Sequence, residues 1–483
     1  MGLFGILLAL VLLIGLAYRG WSVLVLAPAA ALLAAAASHE PLLAHWTQTF
    51  MGSATQFLAQ FFPIFLLGAL FGKLMEDSGS VSTIAGFMTS KLGPKRAVLA
   101  VVLAGAFVTY GGVSLFVAFF VLAPMAQALF QDANIPRRLM PAAIALGTST
   151  FTMSALPGSP AIQNAIPMPF FGTTAFAAPG LGIIAAAIML GFGLWWLTHV
   201  EAAARRAGEG FGEKANASAD ATEDELVRER ATVAQAFDPA EIPHGQHSLT
   251  SPPTLVAALP LLVVVSANLL MSFFVVPRLD ASFLSEERWG KTSLSAVGGV
   301  WAVIVALAAA ITVLLLLNHG RLPALRKSID AGANASVLPA FSVASLVGFG
   351  AVVAALPAFG LVRDWVLSIG GGPLVSLAVA TNVLAAMTGS ASGGLTIALD
   401  ELGATYMRIA TEAGIDPAVM HRVAVIGAGA LDSLPHNGAV VTLLAVCGST
   451  HRESYFDIVM VAILGALLGL VVVIILGSAF GSF

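Results

Sequence analysis

Long apolar runs, nearly free of charge, recur along the chain at about 3–18, 21–37, 52–74, 175–199, 254–276, 293–317, 334–358 and 456–480. Runs of about 20 apolar residues cross a bilayer core as helices. Alternating strand-type segments are absent, so helices must satisfy the backbone in lipid. Two further apolar regions, 97–170 and 373–447, are interrupted. Each carries a glycine-rich break, Thr109-Tyr110-Gly111-Gly112-Val113-Ser114 or Thr388-Gly389-Ser390-Ala391-Ser392-Gly393-Gly394. Each then carries a polar, proline-containing break, Met153-Ser154-Ala155-Leu156-Pro157-Gly158-Ser159-Pro160 or Leu431-Asp432-Ser433-Leu434-Pro435-His436-Asn437-Gly438. Gly111 precedes Pro157 by 46 residues, and Gly389 precedes Pro435 by the same 46. The pattern predicts an all-α polytopic membrane protein built from two copies of one design. Each copy has about three scaffold helices, a re-entrant hairpin, a broken helix and a closing helix.

Composition agrees: 58% of the 483 residues are hydrophobic and 10% charged, too few charges for a soluble surface of this size. The single cysteine, Cys447, lies in an apolar helix and reads as a packing residue. Met1-Gly2-Leu3 opens into an apolar segment without a basic region or cleavage site, and is expected to stay as a first helix. The one polar stretch, 201–250, carries 15 of the 48 charges and reads as a linker between halves.

Basic residues set the sidedness. If 97–136 is a hairpin whose two ends emerge together, Lys95-Arg96 and Arg137-Arg138 share one side. All seven Lys/Arg of residues 1–200 are then cytoplasmic. Arg137 and Arg138 read as topology markers and headgroup contacts. The expected division is a first repeat at 1–200 (hairpin 97–136, broken helix 139–170), a cytoplasmic linker at 201–250, and a second, inverted repeat at 251–483 (hairpin 373–411, broken helix 419–447). On this count Arg422 falls on the outer side, at the start of the broken helix, and both termini lie outside.

Paired broken helices in inverted repeats point to a secondary transporter. Half-helix ends at mid-membrane leave N–H or C=O groups free and aim a dipole end at the site. Glycine lets a ligand approach the backbone, and Ser, Thr and Asn supply neutral ligands without a buried charge. The candidate substrate ligands are Gly111, Gly112, Ser114, Ser154, Gly158, Ser159, Gln163 and Asn164 in the first half. Their second-half counterparts are Ser390, Ser392, Gly393, Gly394, His436 and Asn437. Asp432 and His436 are the candidate proton carriers. Asp432 could instead cap the half-helix starting near Pro435. For a sodium-coupled alternative, Thr109, Gly111, Ser392 and Asn437 are the ion ligands. An ATP-driven pump is excluded, because Gly68-Ala69-Leu70-Phe71-Gly72-Lys73 is one residue short of a phosphate loop and precedes leucine. No cysteine–histidine cluster suggests a metal, and no organic cofactor or nucleic-acid partner is expected. A channel explains the duplication poorly. An intramembrane protease using Ser392 and His436 does not explain it at all.

The same segments resemble the gluconate permease (GntP-type) family of bacterial secondary transporters. Tyr110–Val117, Asn134–Leu139 and Thr152–Asn164 carry the resemblance in the first half, Ser392–Leu395 and Leu431–Gly438 in the second. The forms are closest to the 3-hydroxybutyrate permease and citrate-transporter-like branch. The resemblance implies uptake of a small organic acid, usually a hydroxycarboxylate, with protons across the bacterial inner membrane. It further implies a homodimer working as an elevator, with sodium as the alternative coupling ion.

Overall fold

A computed structural model describes residues 2–19, 21–212, 238–435 and 437–483, and among these every regular element is helical. His436 and 213–237, most of the expected linker, lie outside the described residues. The first half runs α1 (Gly2–Tyr18), α2 (Val23–Ala37), α3 (Leu42–Asp77) and α4 (Ser80–Leu92). A hairpin follows, α5 (Ala97–Tyr110) and α6 (Leu115–Asp132). Then come short pieces, α7 (Met140–Thr148), α8 (Phe151–Ser154), α9 (Ile162–Ala165) and α10 (Pro167–Phe171), and a long closing helix, α11 (Pro179–Arg206).

The second half has the same order. Spans α12 (Thr254–Arg278), α13 (Leu294–Arg321) and α14 (Leu325–Ala355) precede a short helix, α15 (Phe359–Leu367). The hairpin is α16 (Pro373–Thr388) with α17 (Ala391–Ala413), and the broken helix is α18 (Pro417–Ala430) with α19 (Gly438–Val446). The closing helix is α20 (His451–Phe480).

Local chemistry sets the boundaries. Asp416 accepts from Ala418 N and caps α18, with Pro417 in the first turn where its missing N–H costs nothing. Thr450 and Glu453 form a capping box that starts α20. Gly389, at φ 62°, ends α16 in the left-handed conformation that glycine adopts without strain.

Four features differ from the expectation. Helices α4 and α15 form between scaffold and hairpin in the two halves, because both are mixed in polarity and leave no long apolar run. Helix α14 starts at Leu325, since its first turns carry Arg326, Lys327 and Asp330 beyond the apolar stretch. Helices α1 and α2 have only 17 and 15 residues, roughly 26 and 22 Å at 1.5 Å per residue, shorter than the hydrocarbon core. Arg137 and Arg138 also make ties within the protein. Arg137 donates to Cys447 O at 2.8 Å, while Arg138 pairs with Glu209 (2.8 Å) and Asp457 (3.0 Å).

The helices pack as two groups. α3 lies along α14, α12 packs on α13, and α13 packs on α3. The hairpins instead pack on the broken and closing helices: α5 on α7, α16 on α18, α11 and α18 on α20. In lipid there is little hydrophobic drive between helices, so close backbone approach does the work. A Cβ on Gly394 would lie 2.3 Å from Ala385 N in the facing hairpin arm, so only glycine fits there.

Candidate functional site

At the first-half hairpin tip, Gly112 has φ 99°, and a Cβ there would lie 2.8 Å from Pro160 of the broken helix. Glycine is therefore required both for the turn and for the contact between the two breaks. Between these breaks and α3 is a cavity of about 80 Å³, whose lining includes Thr109, Gly112, Ser114, Thr148 and Gln163. Ser114 caps α6 by accepting from Phe116 N, leaving that 18-residue helix with its positive end at the cavity. Gln163 is 2% exposed, and its Nε2 has no hydrogen-bond partner. A buried amide donor left unpaired costs about 1–3 kcal/mol, so this group calls for an acceptor in the cavity.

The other first-half candidates are turned to structural work. Thr109 Oγ1 donates to Gly105 O at 2.8 Å. Ser154 Oγ donates to Thr150 O, and Ser159 Oγ accepts from Ala161 N. Gly158 O accepts from Asn268 of α12 at 3.2 Å. A Cβ on Gly111 would meet the Leu261 side chain at 2.3 Å, so Gly111 sits against the scaffold. Asn164 Nδ2 donates to Ser159 O and Ala175 O, which fixes the unwound segment.

The second-half tip is organised around Asp432, which is 5% exposed. Its Oδ1 accepts from Ala391 N at 2.8 Å and from Asn437 Nδ2 at 2.7 Å. Asn437 Nδ2 also donates to Gly389 O at 2.8 Å, and its Oδ1 caps α19 through Ala439 N. Asp432 thus caps a helix, but α17 of the hairpin and not the half-helix after Pro435, which Asn437 caps. The carboxylate and amide together latch the hairpin tip to the broken helix. Ser390 caps α17 through Gly393 N, and its hydroxyl lies 3.2 Å from that of Ser392. Gly393 faces Leu346 of α14, where a Cβ would come within 2.8 Å of Cδ1. Asp432 and Asn437 also border a narrow cavity of about 10 Å³ shared with Ser149. The two tips therefore adjoin separate cavities: the lining of the first-half cavity comes from the first half alone.

Two functional candidates escaped the sequence reading. Arg422, counted there among the basic residues on the outer side, is fully buried in α18. It donates to Ala177 O at 2.7 Å, Ser154 O at 3.2 Å and Asn164 Oδ1 at 3.4 Å. Its neighbour His421, also fully buried, lies 3.1 Å from Asn164 Oδ1 through Nε2 and 2.6 Å from Thr173 Oγ1 through Nδ1. This network requires the Nε2–H tautomer, with the Thr173 hydroxyl donating. Together they tie the second-half broken helix to the first. A basic pair inside an otherwise apolar segment was the available signal.

Glu76, Asp77 and His247 are placed closely enough to share a cation. Lys73 already fills that role, with Nζ 3.2 Å from Glu76 and 3.1 Å from Asp77.

Similarity to known proteins agrees with this architecture. The sequence profile of the GntP family permeases matches residues 1–204. The uncharacterized transporter YxjC of Bacillus subtilis is 40% identical over 466 residues, 95% of both chains. The high-affinity gluconate transporter of Escherichia coli is 35% identical over 106 residues, 21% of this chain and 23% of that one. Among solved structures, the YdaH transporter of Alcanivorax borkumensis superposes with TM-score 0.54 at 17% identity, covering 91% of this chain and 89% of its own. MtrF of Neisseria gonorrhoeae gives 0.52 at 13%, covering 91% and 85%. The fold is thus a transporter fold, and by its near full-length identity to YxjC the chain belongs to the GntP family of permeases: it is a multi-pass membrane transporter and not an enzyme.

Proposed function

We propose that the protein imports a small hydroxycarboxylate such as 3-hydroxybutyrate together with protons, as a homodimer in the bacterial inner membrane working by an elevator motion. The observation that carries the substrate reading is the unpaired Nε2 of Gln163 in the first-half tip cavity. An amide donor and the positive end of α6 suit a carboxylate. The same donors would suit the carboxylate of gluconate, the substrate named for the E. coli relative, so the uptake test compares both acids.

Asp432 supplies the coupling. As a carboxylate it accepts from the N–H groups of Ala391 and Asn437 and holds the hairpin tip to the broken helix. A proton on that oxygen turns an acceptor into a donor and opposes both bonds. Charge on Asp432 thus closes the latch and its neutralisation frees the tip. Sodium coupling is the second reading, favoured by the oxygens of Asp432, Ser390 and Gly389 at one unwound tip.

The test is uptake of 3-hydroxybutyrate and of gluconate in proteoliposomes, with proton and sodium gradients imposed separately. The expected result is proton-driven 3-hydroxybutyrate uptake that loses its pH-gradient dependence in Asp432→Asn and weakens in Gln163→Leu. Sodium-dependent accumulation that persists in Asp432→Asn would replace the proton reading with the sodium one. Full-rate uptake by Gln163→Leu would remove the amide from the substrate site.

A further inference from the structure

A second polar cavity, of about 270 Å³, lies between the middle of α3, the end of α10, the start of α13 and the first half of α17. Its lining includes Gln56, Gln60, Thr292, Thr396 and Asp400. On the sidedness assigned by the basic residues, Thr292 and Asp400 lie on the outer side of this cavity, which makes it an outer vestibule reaching inward to Thr396. Among the described residues, Asp400 is the one carboxylate lining it.

Asp400, Thr396 and Ser392 follow one another at four-residue spacing on α17, which places them on one face, each about 6 Å along the axis from the next. Thr396 and Ser392 are each 1% exposed, and Thr396 Oγ1 donates to Ser392 O at 2.8 Å. Ser392 meets Ser390 hydroxyl to hydroxyl, and between them stands Ala391, whose N–H donates to Asp432. A stripe of hydroxyls therefore runs from a carboxylate in the vestibule to the buried carboxylate at the hairpin tip. Such hydroxyls both donate and accept.

We propose that Asp400 is the outer proton-loading group of this transporter, and that Thr396, Ser392 and Ser390 carry the proton from it to Asp432. The inference rests on the proton-coupled reading above. A proton from vestibule water adds to the Asp400 carboxylate. Thr396 first turns its proton away from Ser392 O. Water then bridges the steps of about 6 Å from Asp400 to Thr396 and on to Ser392. Ser392 passes a proton directly to Ser390, and a last water delivers it to the Asp432 carboxylate while Asp400 returns to its charged form. The surroundings leave Asp400 free to cycle. α3 presents Ser53, Gln56 and Gln60 to it, α10 presents Pro169 and Phe170, and the lead into α13 presents Thr292. In that lead Arg288 pairs with Glu286 at 2.8 Å and Lys291 with Glu287 at 3.6 Å. On α17 itself the adjacent Glu401 borders a separate apolar cavity and puts a like charge beside Asp400, and Arg408 pairs with Glu412.

The test compares Asp400→Asn, Asp400→Glu and Thr396→Val with wild type in right-side-out membrane vesicles. Two readouts are needed: accumulation of 3-hydroxybutyrate driven by outside acid, and exchange of labelled for unlabelled 3-hydroxybutyrate at equal pH. The expected outcome is that Asp400→Asn loses at least about tenfold in acid-driven accumulation yet keeps exchange. Asp400→Glu should restore accumulation and Thr396→Val should slow it. Exchange retained by Asp400→Asn shows that the variant folds. Accumulation by Asp400→Asn equal to wild type, with an unmoved dependence on outside pH, overturns the proposal. Loss of exchange in both Asp400 variants overturns it as well, since the residue would then serve substrate passage or folding. If wild type transports 3-hydroxybutyrate but ignores the pH gradient, it is the symport reading that falls, and this one with it.

Discussion

Arg422 is fully buried, yet its partners are two carbonyls and an amide, with no carboxylate among them. Its charge sits at the carbonyl end of the first-half broken helix, the sign a helix C-terminus favours. Asp432 is placed in the opposite way, accepting at the N-terminal end of α17. The two charges are ten residues apart on one broken helix and compensate helix ends instead of each other. Removing the guanidinium leaves Ser154 O and Ala177 O short of donors, while Asn164 Oδ1 keeps His421 Nε2, at about 1–3 kcal/mol for each buried group left unpaired. Arg422→Leu should therefore lower the apparent unfolding temperature of the purified protein by about 2–6 °C, since a 483-residue chain shifts about 1 °C per kcal/mol. Arg422→Lys should fall between, because one ammonium cannot reach both carbonyls with a planar fork. An unchanged melting temperature in Arg422→Leu would show that the tie between the broken helices contributes nothing measurable.

The segment 238–250 behaves as a strap across the end of α3. Lys73 Nζ donates to Ile242 O at 2.7 Å, Ser248 N donates to Asp77 O at 2.7 Å, and His247 Nε2 lies 3.4 Å from Glu76 Oε1. The hydrogen bond with Glu76 raises the pKa of His247 above its ordinary value, and burial only partly opposes it. The raised value means that the folded strap binds the proton more tightly than the free chain does. Its contribution is then fully present below about pH 6.5, the unfolded histidine value, and is lost as pH rises through the higher folded one. Hydrogen-exchange protection of the Ser248 amide, corrected for the intrinsic rate, should fall between pH 6 and pH 8.5 in wild type and stay level in His247→Gln. Equal protection at both pH values in wild type would sink the idea.

The strap and the tips differ in how far they could be read from sequence. Breaks announce themselves by composition, so Gly389, Pro157 and Asn437 were visible as interruptions in apolar runs. Gln163 was visible as a polar residue next to a break. What Asp432 caps was not visible, because Ala391 is 41 residues away and the contact depends on how hairpin and broken helix meet. Arg422 was misplaced because counting basic residues by side presumes that they face water. The pairing of 238–250 with Lys73 joins positions about 170 residues apart, which no periodicity reports.

Across the whole chain, hairpins, broken helices and closing helices pack with one another, whereas α3, α12, α13 and α14 form the other group. An elevator needs that division, with one group sliding against the other while its own contacts persist. The seam includes α14 against α17, where a Cβ on Gly350 would lie 3.6 Å from the Cβ of Ile397. That separation falls within the range a disulfide spans. Changing Gly350→Cys and Ile397→Cys together, with Cys447→Ser to remove the native thiol, should give a pair that oxidises readily. If the hairpin group slides along α14 during transport, oxidation should abolish uptake and reduction should restore it, while either single change remains active. Undiminished uptake by the oxidised protein, with the cross-link verified by mass spectrometry, would mean that this seam stays fixed. Transport would then have to proceed by opening at the tips alone, with the Asp432–Asn437 latch as the moving part.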